Sequence, residues 1–572
     1  MKNLEIARIF YEIADILEVQ KVEFKPRAYR NAARSIEELT EDIAEIEKRG
    51  ELRKIPGVGE AIAKKIEEIL KTGKLEYFEA LKKEMPFDME GLVSVEGLGA
   101  KKAYRLYEEL GIRNVEELEK AAQQGKIRAL SGFGETSEKK ILQGIEALKR
   151  RGKRMLLWEA IILSNQIIRR LKQVRGVERV EPVGSLRRMK ETVGDLDILA
   201  ISSKPKEVMD AFTSMPGVRR VNEKGETKAS IELEEGIQVD LRVIGRGSFG
   251  SAMQYFVGSK FHNIATRTIA IKKGLKLSEY GLFRGDTQIA GADEREIYGI
   301  LGLKYIEPEM RENSGEIVAA LKGELPELVS LADIRGDLHI HTNWSEGKNT
   351  IGEMAQKGKE LGYGYMIISD HAGLTIRVAN PMDEKKLAKQ GNEIDKLNKR
   401  GEAEGLPFLL KGAEINIKKD GGVDIKDEAL KQLDIVVASI HNAMRQPKEK
   451  IVKRLFSAME NEHVDIIAHP TGRLINEREP YELDMGELVD KAKETGTMLE
   501  INAQPDRLDL NGENARKAKD AGVMLTIGTD AHAVSQMDYM NLGIAMARRG
   551  WCEKKDVLNT MGLKEIRKRF DF

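Results

Sequence analysis

Gly184-Ser185-Leu186-Arg187-Arg188 is followed closely by Gly194-Asp195-Leu196-Asp197, and later by Val239-Asp240-Leu241. Around these motifs Arg179–Pro182, Asp197–Ile201, Ser230–Leu233 and Gln238–Ile244 are short apolar or alternating runs that read as strands. Helical periodicity flanks them, so the region is mixed α+β. Asp195 and Asp197 stand two apart at a strand start and project from one face. Asp240 lies inside a second strand, where an unpaired carboxylate is costly. Three carboxylates on adjacent strands repel one another unless they hold hard divalent cations, for which Mg²⁺ is the usual choice. Two such ions activate an attacking hydroxyl and stabilise a leaving pyrophosphate. Gly184 and Ser185 then offer backbone and hydroxyl donors to phosphate, and Arg188 a bidentate charge. A plain turn with surface acids would account for Asp-x-Asp alone, but not for Gly-Ser upstream and a strand Asp downstream.

Toward the C-terminus a second pattern emerges. Gly336–Ile340, Tyr365–Ser369, Phe408–Leu410, Ile435–Ser439, Ile466–Ala468, Met498–Ile501 and Met524–Ile527 are apolar strands alternating with helical segments. Seven such repeats argue for a parallel α/β barrel or near-barrel, whose chemistry sits past the C-terminal strand ends. His339 and His341 end the first strand, and His371, His441, His469 and His532 lie at later strand ends. Glu414 follows the strand near Leu410, and Asp530 closes the last one. Six histidines at strand ends with carboxylates among them require metals such as Zn²⁺ or Mn²⁺. His262 and His463 fall outside this spacing and read as structural or surface residues.

Toward the N-terminus the first 150 residues have helical periodicity throughout. Within them an apolar-x-Gly-x-Gly turn occurs three times, at Gly57 and Gly59, at Gly97 and Gly99, and at Gly132 and Gly134. Each precedes a lysine-bearing amphipathic segment, and such a turn can hold a nucleic-acid phosphate without reading a base. The third copy is the poorest match. Between the helical and α+β regions, Lys149 to Lys190 holds 13 basic residues against Glu159, Glu178 and Glu181. That stretch fits either a polyanion or a solvated helix face.

The whole chain has 572 residues with 41% hydrophobic and 33% charged, and Lys+Arg and Asp+Glu both total 94. At about 100–200 residues per domain it holds three or more domains. Its zero formal charge points to no partner. No apolar run approaches the ~18 residues of a membrane span. Cys552 is the only cysteine, so intrachain disulfides are excluded and a reducing cytosol is expected.

Gly-Ser with Asp-x-Asp and a later strand Asp resembles the nucleotidyltransferase superfamily. Tyr255-Phe256-Val257-Gly258-Ser259, with Asn263 and Arg267, narrows the resemblance to family X DNA polymerases. It implies metal ligands and catalytic residues at Asp195, Asp197 and Asp240. It also implies a nucleotide site of Gly184, Ser185, Arg188, Gly194, Tyr255, Phe256, Gly258, Asn263 and Arg267, in which the Tyr-Phe-x-Gly turn flanks the sugar of the incoming nucleotide. Val193 and Lys260 depart from the polymerase beta pattern, where a serine and an acid stand.

The glycine turns resemble helix-hairpin-helix elements. Phe24-Lys25-Pro26-Arg27-Ala28-Tyr29-Arg30 resembles the family's 5′-phosphate-binding domain, so DNA contacts are implied at Lys25, Tyr29, Arg30, Gly57, Gly59, Gly97 and Gly99. Lys65 falls where animal members place a Schiff-base lysine, although plain DNA binding also needs a lysine there.

The C-terminal constellation is similar to the PHP (polymerase and histidinol phosphatase) domain, a distorted barrel of seven βα units with a trinuclear metal centre. The implied ligands are His339, His341, Glu346, His371, Glu414, His441, His469, Asp530 and His532, for up to three Mn²⁺ or Zn²⁺ ions. Glu346 replaces the family's usual Asp. His469-Pro470-Thr471-Gly472-Arg473 matches the polymerase-associated branch.

The implied layout is multidomain. An all-α 5′-phosphate and DNA-binding domain spans 1–85 and a fingers-like helix-hairpin-helix domain 86–150. A nucleotidyltransferase palm spans 151–258, a thumb-like nucleotide-selection domain 259–315, a linker 316–334 and the PHP barrel 335–572. The function implied is gap-filling DNA polymerisation with Mn²⁺-stimulated 3′→5′ exonuclease and abasic-site or 3′-phosphodiesterase activity, on gapped or primed DNA and dNTPs, by a cytoplasmic monomer. Two rivals are a phosphoesterase whose N-terminal half is only a DNA clamp, and a non-catalytic repair scaffold.

Overall fold

The computed structural model describes every residue except 1, 21, 38, 40–42, 94, 96–97, 131, 152–153, 377 and 379. It divides into two compact units, Met1–Arg154 and Met155–Phe572. No helix among the described residues is long and apolar enough to cross a membrane.

Among its described residues the first unit holds helices and turns and no strand. Lys2–Val19, Lys25–Glu37, Ile43–Lys48, Glu60–Thr72 and Glu76–Glu84 enclose one apolar cluster with Phe10, Ile13, Ala33, Ile36 and Ile66 at its centre. A second cluster, with Leu98, Leu106, Leu118 and Phe133, is enclosed by the helices that follow, including Ala100–Leu110, Val115–Gln123 and Glu135–Arg151. Gly57 has φ +80°, and a Cβ there would press within 3.2 Å of the Ala32 backbone nitrogen, so only glycine fits this turn.

In the second unit five strands form the palm sheet in the order Val177–Pro182, Asp195–Ser202, Gln238–Ile244, Lys228–Leu233, Val218–Lys224. Alternation sends Leu196, Ile198, Ala200, Val239 and Leu241 into the large core with helices Leu157–Leu171 and Pro205–Thr213. The other face packs Leu199 and Ile201 on helix Phe249–Val257. A thumb-like cluster follows, built from helices Lys260–Lys272 and Glu294–Leu301 and a three-stranded antiparallel sheet. The segment expected to be a linker differs. Glu316–Lys322 is a helix whose Ile317 and Ala320 are buried in the thumb cluster, so glycine and proline punctuation there marks turns within a packed element.

Seven parallel strands then run in sequential order: Gly336–Asp337, Tyr365–Ile368, Phe408–Asn416, Ile435–Ser439, Ile466–Ile467, Met498–Asn502, Leu525–Gly528. One set of their side chains, including Tyr365, Ile367, Leu410, Val437 and Met498, packs with Ile566 of the C-terminal helix Leu563–Phe570. The alternate set packs on the surrounding helices.

The first strand is shorter than its apolar run, because the sheet is distorted at the seam between first and last strands. Side chains close that seam. Asn559 Nδ2 donates to the carbonyls of Gly336 (2.9 Å) and Ile527 (2.7 Å), while its Oδ1 accepts from Ile527 N at 2.7 Å. Thr529 Oγ1 donates to Asp337 Oδ2 at 2.6 Å. Beyond these, His341 N donates to Ala531 O and Asp530 N to His339 O, which locks the ends of the two strands side by side.

Candidate metal centres

The palm centre is built by register. Asp197 and Asp240 are directly paired on neighbouring parallel strands, and Asp195 lies two residues before Asp197 on the same face. That face is the one covered by helix Phe249–Val257, which carries Tyr255 and Phe256. Gly184 has φ +63°, and a Cβ there would fall 2.2 Å from Asp197 Oδ2, so glycine is what lets the Gly-Ser turn close over the carboxylate. Burial, with Asp195 and Asp240 nearby, pushes the Asp197 carboxyl up to about 7. Ser185 Oγ is buried with no hydrogen-bond partner. A repelling carboxylate trio beside an unsatisfied hydroxyl fits divalent cations and a phosphate-bearing ligand.

The remaining palm positions are placed as follows. Tyr255 and Phe256 meet edge to face at 5.0 Å, and the Arg267 guanidinium lies 5.8 Å from the Tyr255 ring centroid. Asn263 is taken up by the turn itself: its Nδ2 donates to Tyr255 O (2.6 Å) and Gly258 O (3.2 Å), and its Oδ1 accepts from Gln254. Its amide thus braces the Tyr-Phe-x-Gly turn. Val193 is buried in a two-residue strand paired with Met155–Leu156.

The barrel centre gathers all nine expected ligands. Seam closure brings His339 and His341 against the last strand, with His341 Nε2 3.0 Å from Asp530 Oδ1 and 3.1 Å from His339 Nε2. Glu414 lies within its strand, which runs on to Asn416 instead of ending near Leu410. Its Oε1 is 3.2 Å from His441 Nε2 and 3.0 Å from His469 Nε2. Its Oε2 lies 2.8 Å from His371 Nδ1, 3.3 Å from His339 Nε2 and 3.5 Å from His341 Nε2. Glu346 Oε1 sits 2.7 Å from His371 Nε2 and 3.2 Å from His532 Nε2, so the longer side chain still reaches the cluster.

Three groups have ligand atoms within 4.8 Å of one another: His339, His341, Glu414 and Asp530; His341, His371 and His532; and His371, Glu414 and His441. Glu414 Oε2 is buried among three imidazoles yet forms a hydrogen bond with none of them, and His371 Nδ1, which faces it, is also unsatisfied. Such orphaned donor atoms, in three overlapping sets of imidazole and carboxylate, fit metal ions. Burial and the neighbouring His371 and His532 lower His341 to about 3. Burial opposes a proton on His371, but Glu414 and Glu346 outweigh it and raise that group to about 10.

Two residues that sequence reading passed over support this centre. Glu500 Oε1 meets His339 Nδ1 at 2.6 Å and fixes the ring's orientation. Asn502 Nδ2 donates to Asp530 Oδ2 at 3.2 Å. A glutamate amid the apolar strand Met498–Asn502 was the available signal. His262 is buried between Glu316 Oε1 and Tyr298 Oη, each at 2.8 Å, and is structural. His463 is half-buried beside Glu462.

In the helical unit Gly59 and Gly99 cap helices Glu60–Thr72 and Ala100–Leu110, and a Cβ at either would meet nothing within 4 Å. Gly97 lies outside the described residues. Lys25 is exposed at the start of its helix. Two of the expected DNA-binding side chains are engaged within the helical unit. Tyr29 is buried, edge to face with Phe10 at 5.6 Å and stacked on Tyr77 at 6.5 Å, so it is a core residue. Arg30 is committed to Asp15 (2.6 Å) and Glu18 (2.5 Å), whose charges offset its own. Lys65 Nζ lies 4.1 Å from the Tyr77 ring centroid.

Comparison with known proteins agrees with this geometry. Residues 1–75 match the helix-hairpin-helix domain family, 89–147 the SAM-like helix-hairpin-helix tandem, 252–312 the DNA polymerase beta thumb and 337–504 the PHP domain. The DNA polymerase/3′-5′ exonuclease PolX of Bacillus subtilis (strain 168) is 40% identical over 572 residues, covering 99% of each chain. A probable phosphatase of Caldanaerobacter subterraneus subsp. tengcongensis is 33% identical over 177 residues, 28% of this chain and 67% of the relative. A probable phosphatase of Acetivibrio thermocellus is 32% identical over 205 residues, 34% of this chain and 78% of the relative. With a relative of that identity along its entire length, the chain belongs to the family X DNA polymerases that carry a C-terminal PHP domain.

Proposed function

We propose that this chain is a DNA-directed DNA polymerase and 3′→5′ exonuclease that fills short gaps during repair. The observation that carries the reading is the direct pairing of Asp197 with Asp240 beneath the Gly184 turn, on the face that bears Tyr255 and Phe256. Asp195, Asp197 and Asp240 would hold two Mg²⁺ ions. When bound, these supply a Lewis acid for the attacking 3′-hydroxyl and charge stabilisation for the leaving pyrophosphate. The chain's own part is positioning. Ser185 Oγ and the Gly184 turn donate to the triphosphate, and Arg188 adds a fixed guanidinium. The Tyr255–Phe256 turn, braced by Asn263, presses on the sugar and excludes a 2′-hydroxyl.

His339, His341, Glu346, His371, Glu414, His441, His469, Asp530 and His532 would hold up to three ions in the barrel, with Mn²⁺ favoured over Mg²⁺ by the imidazole-rich set. Those ions would polarise a phosphodiester and activate water. The entry side follows from exposure. His339 and His341 side chains are 0% exposed and Glu414 1%, whereas Glu346 is 23%, His441 16% and His532 28% exposed. The DNA 3′ end therefore approaches over Glu346, His441 and His532. Abasic-site or 3′-phosphodiesterase cleavage uses the same opening.

Gapped or primed DNA and dNTPs are the substrates, which places the enzyme with cellular DNA in the cytoplasm or nucleoid. Lys25 and the Gly57–Gly59 turn are candidates for a 5′-phosphate pocket. Lys65 chemistry on an abasic sugar is the remaining expectation for the helical unit.

The test is a labelled primer at a one-nucleotide gap. With dNTPs and Mg²⁺ it should lengthen by one, and without dNTPs in Mn²⁺ it should shorten. A primer that only shortens in both conditions would favour a phosphoesterase with a DNA clamp. A 5′-phosphate at the gap should speed filling relative to a 5′-hydroxyl, and equal rates across a salt series would remove the gap-repair role.

A further inference from the structure

Arg188 does not stand alone in the palm. Its Nε donates to Glu312 Oε1 at 3.0 Å and its Nη1 to Val257 O at 2.8 Å. Val257 belongs to the Tyr-Phe-x-Gly turn and Glu312 follows the thumb-like helices. The barrel domain supplies the other half of this arrangement. Arg549, the last residue of helix Met540–Arg549, donates through Nη1 to Arg188 O at 2.7 Å and to Glu312 Oε1 at 3.3 Å. The three side chains are nearly enclosed, at 12%, 22% and 15% exposed for Arg188, Glu312 and Arg549. Gly512 permits this approach, because a Cβ there would fall 2.5 Å from Arg549 Cβ.

The charge balance gives the arrangement a purpose. Glu312 faces Arg188 and, more loosely, the half-exposed Lys190, whose Nζ lies 3.9 Å from Oε1 and is partly screened by solvent. Arg549 adds a second enclosed guanidinium to the same carboxylate, so the positive charge of the group is largest where it is poorly solvated and counts most. Arg549 also fixes the backbone carbonyl of Arg188, so both ends of that residue are held.

We propose that Arg549 is a positioning residue for polymerisation: by sharing Glu312 and holding the Arg188 carbonyl, the nuclease domain leaves the charge of the Arg188 guanidinium only partly offset and aims it at the incoming triphosphate. This rests on the nucleotide role given to Arg188 above. The contacts of Arg549 are with Arg188 and Glu312 and not with the barrel's candidate ligands.

Single-nucleotide gap filling across a dNTP series tests it, with nuclease rate measured on the same preparations. Arg549→Ala should raise the dNTP KM about tenfold, the worth of one charge-assisted hydrogen bond, with kcat within about twofold and the nuclease rate unchanged. Arg549→Lys should recover much of the loss by returning the charge. In a Glu312→Gln background the Arg549 substitution should add less than about a factor of two, because the two act as one unit. An unchanged KM in Arg549→Ala, while Arg188→Ala raises it, overturns the relay and leaves Arg188 its role. An unchanged KM in Arg188→Ala overturns the reading of Arg188 and the relay with it. A fall in kcat and nuclease rate together at constant KM overturns the proposal in favour of a structural contact. Should Arg549→Ala fail to fold, Arg549→Lys combined with Glu312→Gln decides: fully additive KM effects overturn the proposal.

Discussion

The palm and the barrel each gather groups suited to divalent ions, and do so in opposite ways. The palm offers three carboxylates, one of them exposed, two neighbouring residues of a turn and one braced arginine. It is an incomplete cage, to be finished by the triphosphate and the primer. The barrel interleaves six imidazoles with three carboxylates at strand ends, and its innermost members are fully buried. Its ligand atoms already lie within contact of one another, with the opening at Glu346, His441 and His532. The difference tracks the ligands: hard oxygens with room for substrate suit Mg²⁺, and nitrogen-rich sets suit transition metals.

The largest expected effect comes from removing the palm ligands. Asp195→Ala with Asp197→Ala should reduce dNTP incorporation by at least about a thousandfold and leave 3′ trimming intact. Normal extension by this double variant would end the palm assignment.

Next is Glu500, which touches no expected ion but orients His339. Glu500→Gln should lower nuclease activity and Mn²⁺ affinity by roughly 10–100-fold, with gap filling unaffected. Direct metal-binding titration distinguishes this from a mere loss of rate, and unaltered Mn²⁺ affinity would show that the His339 ring needs no such support.

Proton release sharpens the contrast further. The Asp197 carboxyl is raised to about 7 by burial and by its two neighbouring carboxylates. Its folded value exceeds the unfolded one, so in metal-free protein this group favours the folded state at low pH, and that contribution is lost as pH rises from about 4 through about 7. A cation replaces the proton. Mg²⁺ binding near pH 6 should therefore release close to one proton from the palm, and near pH 8.5 almost none. Calorimetry in buffers of different ionisation heat, on the His339→Ala protein, measures it. Release that is the same at both pH values would contradict the shift.

The smallest effect is at Glu346. Glu346→Asp restores the ligand usual in this domain and should leave the nuclease rate within about threefold of the starting value or raise it. A loss beyond tenfold would mean that the pocket has adapted to the longer side chain, which now spans to both His371 and His532.

The strand residues of both centres were readable from their spacing, while Glu346 came only from the family resemblance. Asp195 and Asp197 share a face by alternation, and each barrel histidine follows an apolar run. Partners contributed from distant elements were not readable. Asn559 closes the barrel seam from far downstream, and Glu500 hides in an apolar strand. Arg30 looked like a phosphate ligand because its basic motif says nothing of Asp15 and Glu18 on the facing helix. That Phe10 and Tyr77 enclose Tyr29 is likewise not written in its motif. The supposed linker is read correctly only once Glu316 is seen buried against His262, with Asn313 and Ser314 backbone N–H groups donating to its carboxylate.

The central claim is that one chain carries two separate metal centres with opposed actions on a DNA 3′ end. The most direct measurement follows a labelled primer at a one-nucleotide gap, with Mg²⁺, Mn²⁺ and dNTPs present, in three proteins: wild type, Asp195→Ala with Asp197→Ala, and His339→Ala. The account predicts extension and trimming in the first, trimming alone in the second and extension alone in the third. If His339→Ala trims at the wild-type rate after metal stripping and Mn²⁺ addition, the barrel cluster is a structural metal site and the account of two active centres is wrong.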